Sequence, residues 1–309
     1  MLNSLKVCGT FIACCALLSG LFSCTATARQ SGPDAPKILM VTAHPDDDAL
    51  FSGTIYKTTQ FLGGKVDLAL ATNGEGGYKY STLGESWYGL KLTDEAVGRE
   101  YLPGIRKQEL MAGGKIVGLR NYFFLEEQDK EYTQNIEEVF ATHWDTSRVK
   151  SKLRDIFAKE SYDFVFVMLP TPTTHGHHKA AAIMAMEVVN EMPKSTRPLV
   201  FSTTIKTDAF PFNPDYTGLD GYPITKVADG VEPFTFDRLQ TFGLKNRMNY
   251  QIIANWVIAE HKSQGTMQML MNRGKEEVYY YLDFNDPARV GEAKVFFEAV
   301  NASNFDSEN

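Results

Sequence analysis

The sequence predicts an α/β fold: a three-layer sandwich with a mostly parallel sheet and a site at the carboxyl-terminal ends of its strands. Three observations carry this. Short apolar runs of strand length recur, segments with helical spacing separate them, and two of the junctions between them hold the chain's clusters of histidine and aspartate. Lys37 to Ala43 is the first run and reads as a buried strand. Ala49 to Leu62 follows with helical spacing and stops at Gly63-Gly64. Val66 to Thr72 is the second strand, ending in the loop Asn73-Gly74-Glu75-Gly76-Gly77. Residues 78–104 are rich in Tyr, Gly and Leu without a clean period, and read as a long loop with short helical pieces. Arg106 to Leu119 is expected to be helical, Asn121 to Leu125 a strand, Val149 to Lys159 a helix and Tyr162 to Leu169 another buried strand. The Ala-rich stretch Gly176 to Met192 is a helix. Residues 206–235 read as surface loop, Tyr250 to Lys262 as a helix and Val278 to Asp283 as a late strand, after which the chain ends in a polar tail.

Composition narrows the function. With 309 residues, 43% hydrophobic and 22% charged, the chain can bury a full core, and residues 37–309 are expected to form a single catalytic domain. The net charge of −7, with no basic block, argues against nucleic acid as a partner. All four cysteines, Cys8, Cys14, Cys15 and Cys24, fall in the first 24 residues. A disulfide scaffold, a Cys-ligated metal site and a cysteine nucleophile are therefore excluded from everything after Cys24.

Those first residues read as an address. Lys6 gives a short positive start, and Val7 to Phe22 is apolar or small, shorter than the roughly 20 residues that span a bilayer. Ala26-Thr27-Ala28 offers one cleavage site. Leu21-Phe22-Ser23-Cys24 resembles a bacterial lipobox, although Phe22 is bulkier than the usual residue there. The lipobox is favoured because Cys24 sits where the apolar run stops. This makes 1–23 a signal peptide, Cys24 a lipidation site and 24–36 a flexible tether. The expected product is an exported lipoprotein, periplasmic or on the outer surface, held to a bacterial membrane through its N-terminal lipid alone; the alternative is plain secretion.

Four of the six histidines lie in two segments. Ala43-His44-Pro45-Asp46-Asp47-Asp48 follows the first strand, and His175-Gly176-His177-His178 follows the strand ending at Leu169. In a parallel sheet both junctions lie on the ligand-binding edge, so they meet if their strands are neighbours. His44 and Asp47, three residues apart, can face one point, and His178 completes a His-Asp-His set. Three protein ligands with an open position are the pattern of a catalytic zinc, though another divalent metal would suit. Asp46 is placed to take a proton from water, and His175, as an imidazolium, to stabilise an oxyanion or protonate a leaving amine. His143 has no partner motif.

The segment Ala43-His44-Pro45-Asp46-Asp47 resembles the first signature of the PIG-L (LmbE-like) zinc-dependent N-acetylglucosaminyl de-N-acetylases. Four further segments are similar in the same order: Thr72-Asn73-Gly74-Glu75-Gly76, Arg106-Lys107-Gln108-Glu109, His175-Gly176-His177-His178 and His261-Lys262-Ser263-Gln264. The resemblance runs from about residue 37 to 265. It implies a Rossmann-like fold, with His44, Asp47 and His178 as zinc ligands, Asp46 as general base and His175 as acid or oxyanion stabiliser. It also implies substrate contacts from Arg106 and, more weakly, Asp129. Two positions depart from the family pattern. Asp48 stands where a Glu is usual and is expected behind the ligands. His177 stands where an Asp is expected to tune the neighbouring histidine.

These readings together predict a hydrolase that removes an N-acetyl group from an N-acetylglucosamine-type sugar conjugate. Two alternatives stay open: a surface carbohydrate-binding lipoprotein without turnover, and a metal-dependent hydrolase of another amide. The aromatic residues Tyr78, Tyr80, Trp87, Tyr88 and Tyr101 are candidates to stack on sugar rings.

Overall fold

The computed structural model describes residues 35–207 and 213–305. The leader, Cys24 and the tether up to residue 34 lie outside the described residues.

Strand β1 (Lys37–Thr42) leads through a loop and a single 3-10 turn (Asp47–Phe51) into helix α1 (Ser52–Phe61). β2 (Lys65–Thr72) is followed by a 3-10 turn (Glu75–Tyr80), α2 (Thr82–Tyr88) and the long α3 (Glu95–Val117). Next come β3 (Asn121–Glu127), the short α4 (Ile136–Glu138) with a π turn (Val139–His143), and α5 (Thr146–Lys159). β4 (Phe164–Met168), α6 (Gly176–Glu191) and β5 (Leu199–Lys206) complete the parallel part. The chain then forms β6 (Phe234–Asp237), a ribbon of β7 (Thr241–Phe242) and β8 (Met248–Asn249), α7 (Gln251–Glu260) and α8 (Gly265–Gln268). β9 (Glu276–Tyr281) and α9 (Val290–Ala302) close it.

The main sheet has seven strands in the order β3-β2-β1-β4-β5-β9-β6. The first five are parallel, while β9 runs antiparallel to both β5 and β6. Such a sheet needs cover on both faces, which is why its strands are nearly all apolar. One face buries Phe51, Ile55, Leu110, Phe166, Val257 and Phe297 beneath α1, α3, α7 and α9. The other buries Val41, Leu153, Val165 and Ile183 beneath α5 and α6.

Strand order reverses between β1 and β4, and in α/β sheets the ligand crevice opens at such a point. The register pairs Ile38 with Phe164 and Val41 with Val167. The loop after β1 and the loop after β4 therefore emerge side by side.

Four segments depart from the sequence reading. α3 begins at Glu95, not Arg106, so much of the expected loop 78–104 is helical. The Asp94 side chain caps it by accepting the Val97 amide at 3.1 Å. Pro103 lies inside the helix, and Gly98 is kept because an added Cβ would fall 2.4 Å from the Tyr78 Cβ. Residues that ordinarily break helices thus hide this one. The expected polar tail contains α9, which buries Ala293, Phe296, Phe297 and Val300 along one stripe. β5 was not anticipated, and β6 lies in the stretch read as surface loop.

Candidate metal centre

The loop after β1 is folded around its own aspartate. Asp47 Oδ2 accepts the backbone amides of Ala43 and His44, each at 2.9 Å. Its other oxygen is thereby aimed outward and lies 3.1 Å from His178 Nε2. His178, in the first turn of α6, also lies 2.8 Å from His44 Nδ1. Burial would raise the Asp47 pKa, but His178 and His44 outweigh it and hold the carboxyl well below the usual range. His178 Nε2 thus lies within reach of both an imidazole nitrogen of His44 and a carboxylate oxygen of Asp47. This set of nitrogen and oxygen donors suits zinc or a similar divalent ion. Among the described residues, the groups of three whose donor atoms all lie within 4.8 Å of one another are His44, His175 and His178, and His44, Asp129 and His177; Asp47 belongs to neither.

His44 is braced from behind. Its Nε2 lies 3.6 Å from Asp129 Oδ1 and 3.3 Å from His177 Nδ1. A carboxylate behind a ligating imidazole fixes its orientation and raises its basicity. Burial works against a charged His44, but Asp129, with help from Asp47 and Asp46, outweighs it and raises the pKa. Asp129 itself is held far below its usual range, because His44, His177 and Arg106 outweigh its burial.

His177 is fully buried. Its Nδ1 faces Asp129 Oδ1 at 3.3 Å, its Nε2 lies 3.0 Å from His143 Nδ1, and its ring stacks on Trp144 with centroids 5.0 Å apart. His143, which linear spacing left without a partner, is therefore tied to the centre through His177. The signal is a contact between residues 34 positions apart on two helical segments, and no local pattern announces it.

His175 sits at the amino end of α6, stacked between His44 (5.0 Å, 4°) and Tyr132 (4.8 Å, 12°). Its buried Nε2 has no hydrogen-bond partner. Burial, reinforced by His44, His177 and His178, pushes its pKa down to about 2. This burial favours the neutral imidazole over the imidazolium expected at this position.

Asp46 is gripped by Arg106, whose Nη2 lies 3.0 Å from Asp46 Oδ1. Arg106 Nη1 donates to the Gly74 carbonyl at 2.7 Å and lies 3.9 Å from Asp129 Oδ2. The guanidinium is enclosed, so it is engaged by protein groups where a substrate contact was expected. Gly74 has a φ of 76°, and a Cβ there would fall 2.8 Å from both Arg106 Nη1 and the Pro45 ring.

Asp48 turns away from the centre. Its Oδ1 lies 2.8 Å from His261 Nε2, with both side chains fully buried. Burial disfavours a charged His261, but Asp48 outweighs it and raises the pKa. Glu109 accepts from the Ser263 amide at 2.7 Å and hydroxyl at 2.6 Å, so α3 holds the chain just after α7. A second lock lies at the start of α1. Glu277 accepts from the Gly53 and Thr54 amides at 2.8 and 3.0 Å and from Arg238 Nε at 2.7 Å. Arg238 Nη2 also donates to the Ala49 carbonyl at 2.7 Å. The turn that carries Asp47 is thereby pinned to the antiparallel edge of the sheet.

The centre opens into a cleft of about 510 Å³ bordered by Asp46, Asp47, His175 and His178. Tyr132 is the tyrosine along its wall; none of Tyr78, Tyr80, Trp87, Tyr88 or Tyr101 lines it. Instead Tyr88 hydrogen-bonds Glu109 at 2.7 Å, Tyr78 lies under Arg99, and Trp87 lies under Lys262.

Chemistry of this kind belongs to metal-dependent hydrolases of amide bonds. Residues 39–189 match the PIG-L family, described as GlcNAc-PI de-N-acetylase. The chain is 26% identical over 168 residues to a probable N-acetyl-alpha-D-glucosaminyl L-malate deacetylase 2 of Bacillus cereus, covering 54% of this chain and 67% of that protein. Among solved structures, an N,N'-diacetylchitobiose deacetylase from Pyrococcus horikoshii is 26% identical, with a TM-score of 0.37. The match covers 50% of each chain, so this chain spans half the length of that relative. The A40926 pseudoaglycone deacetylase Dbv21 is 16% identical over 82% of this chain and 99% of its own, with a TM-score of 0.48.

Proposed function

We propose that this protein hydrolyses the N-acyl amide of an amino-sugar conjugate, with zinc as the metal held by His44, Asp47 and His178. The observation that supports this reading is that His178 Nε2 lies 2.8 Å from His44 Nδ1 and 3.1 Å from Asp47 Oδ1, with Asp46, Asp47, His175 and His178 bordering one cleft.

When bound, the metal would polarise the amide carbonyl and acidify water near it. Asp46 takes the proton of the attacking water. Arg106 serves as a positioning residue, holding Asp46 Oδ1 at 3.0 Å where Asp46 borders the cleft. His175, fixed in plane by its two ring neighbours, offers its unpartnered Nε2 to the oxygen that gains charge on the acyl carbon. Asp129 keeps the His44 ring in register rather than touching substrate. Lipidation at Cys24, with an exported location, belongs to the same proposal; a Cys24→Ser chain that still incorporates labelled fatty acid would overturn it.

The test is release of free amine from an N-acetylglucosamine conjugate. Chelator should abolish it and zinc should restore it. Asp46→Asn should lower kcat by about 10²–10⁴-fold with zinc still bound. An unchanged kcat would remove Asp46 from the mechanism.

A further inference from the structure

We propose that the acyl group this site removes is a hydrocarbon chain longer than acetyl, bound along an apolar wall of the cleft. The inference rests on the amide-hydrolase reading above and names its substrate class.

The cleft has two unlike sides. Leu50, Met168, Ile205, Ile258, Met267 and Leu270 supply the apolar one; Arg238 and Arg273 line the cleft as well. Five of these six pack on the core beneath α1, α3 and α7, so this wall is an extension of the protein interior that reaches the cleft. The other side comes from the loop leading into α6 on the opposite face of the sheet, with Thr171, Thr173 and Thr174, and from Tyr132 beside them. Thr203 also borders the cleft, and its buried hydroxyl has no partner. Hydroxyls and one aromatic ring suit a sugar; six aliphatic or thioether side chains do not.

The reacting amide must lie between these walls, next to His175 and His178. The sugar nitrogen and the acyl carbon leave an amide in opposite directions. A sugar against the threonines therefore sends the acyl group along the apolar side. An acetyl methyl can touch only one or two of these six side chains, whereas a longer alkyl chain would contact several and remove their surface from water. In the step itself the water oxygen bonds to the acyl carbon, the C–N bond breaks, and a proton passes to nitrogen. A free fatty carboxylate and a free amino sugar result.

The experiment compares N-acetyl-, N-butanoyl- and N-octanoylglucosamine with the zinc-loaded protein, read by amine release and by calorimetric binding. A second arm uses octyl N-acetylglucosaminide, which carries the same chain on the glycosidic side. The expected result is kcat/KM at least about tenfold higher for the octanoyl than for the acetyl substrate, with no such gain for the octyl glycoside. Leu270→Asp should lower the octanoyl-to-acetyl ratio, and Leu270→Met should retain it; thermal melts establish that both variants fold. Equal or better turnover of the acetyl compound overturns the proposal, as does a gain confined to the octyl glycoside. If no compound is hydrolysed, the hydrolase reading fails separately. Tighter binding of octanoyl- than acetylglucosamine would then still uphold the apolar subsite, and equal binding would overturn it.

Discussion

Arg106 Nη2 and Asp46 Oδ1 lie 3.0 Å apart, and both side chains are almost wholly enclosed. A buried pair of this kind is costly to break because the remaining charge has no water. Arg106→Ala should destabilise the protein by about 3–5 kcal/mol and lower kcat by more than tenfold. Urea unfolding with zinc present, alongside amine release, checks both. An Arg106→Ala protein with normal stability and a raised KM alone would point to a substrate contact instead.

His177 stands where the family resemblance leads one to expect an aspartate. In this molecule His177→Asp should not be an improvement. The new carboxylate would face Asp129 in place of an imidazole now 3.3 Å from it, and the 3.0 Å contact with His143 would be lost. A loss of about 3 kcal/mol is expected, with a smaller loss for His177→Asn, which adds no charge. Melting temperatures at fixed zinc measure this, and a stabilised His177→Asp protein would contradict it.

Zinc at a hundred times its Kd should stabilise the fold by about 2.7 kcal/mol. For a chain of this size that corresponds to a rise in Tm of roughly 5 °C or more. Asp47→Asn and His178→Ala should each erase the rise, because the two donors lie 3.1 Å apart and are proposed to share the ion. A zinc-induced shift that survives both substitutions would place the ion elsewhere.

Lys57 gives a pH dependence remote from the centre. Burial pushes its pKa down to about 8, although its ammonium donates to Gln240 Oε1 at 2.6 Å and lies over the Tyr250 ring. In the unfolded chain the group titrates near 10.4. Between these values the unfolded state holds the extra proton, so stability should rise as pH increases from about 8 to about 10. Below pH 8 both states are protonated and this contribution is flat. Lys57→Met should remove the rise, as followed by urea midpoints across that range.

The two histidine-bearing junctions were legible because each is a local signal: an apolar run, then a cluster of donors within six residues. That their strands are neighbours is set by β1 pairing with β4, which no local pattern states. The start of α3 was not legible, since Asp94 capping and the packing of Gly98 on Tyr78 overcome the presence of Pro103. The stripe of α9 was available in the spacing of Ala293, Phe296, Phe297 and Val300, but the polar residues between them masked it. At the centre, residue types announced the donors and not their supports. His143, the inward grip of Arg106 and the neutrality of His175 all come from tertiary neighbours far away in the chain.

The contact between Glu277 and the first turn of α1 also bears on the order of assembly. The carboxylate that satisfies the Gly53 amide lies 224 residues further along the chain. Until β9 docks, the amides at the start of α1 and the buried Arg238 have no counter-charge, and the turn bearing Asp47 is tethered at one end only. A chain interrupted before residue 277 would carry every metal-facing side chain yet lack the closure that sets them in place. A chain ending before residue 277 is thus expected to bind zinc more weakly than the full chain, and calorimetric titration of the two would measure the difference.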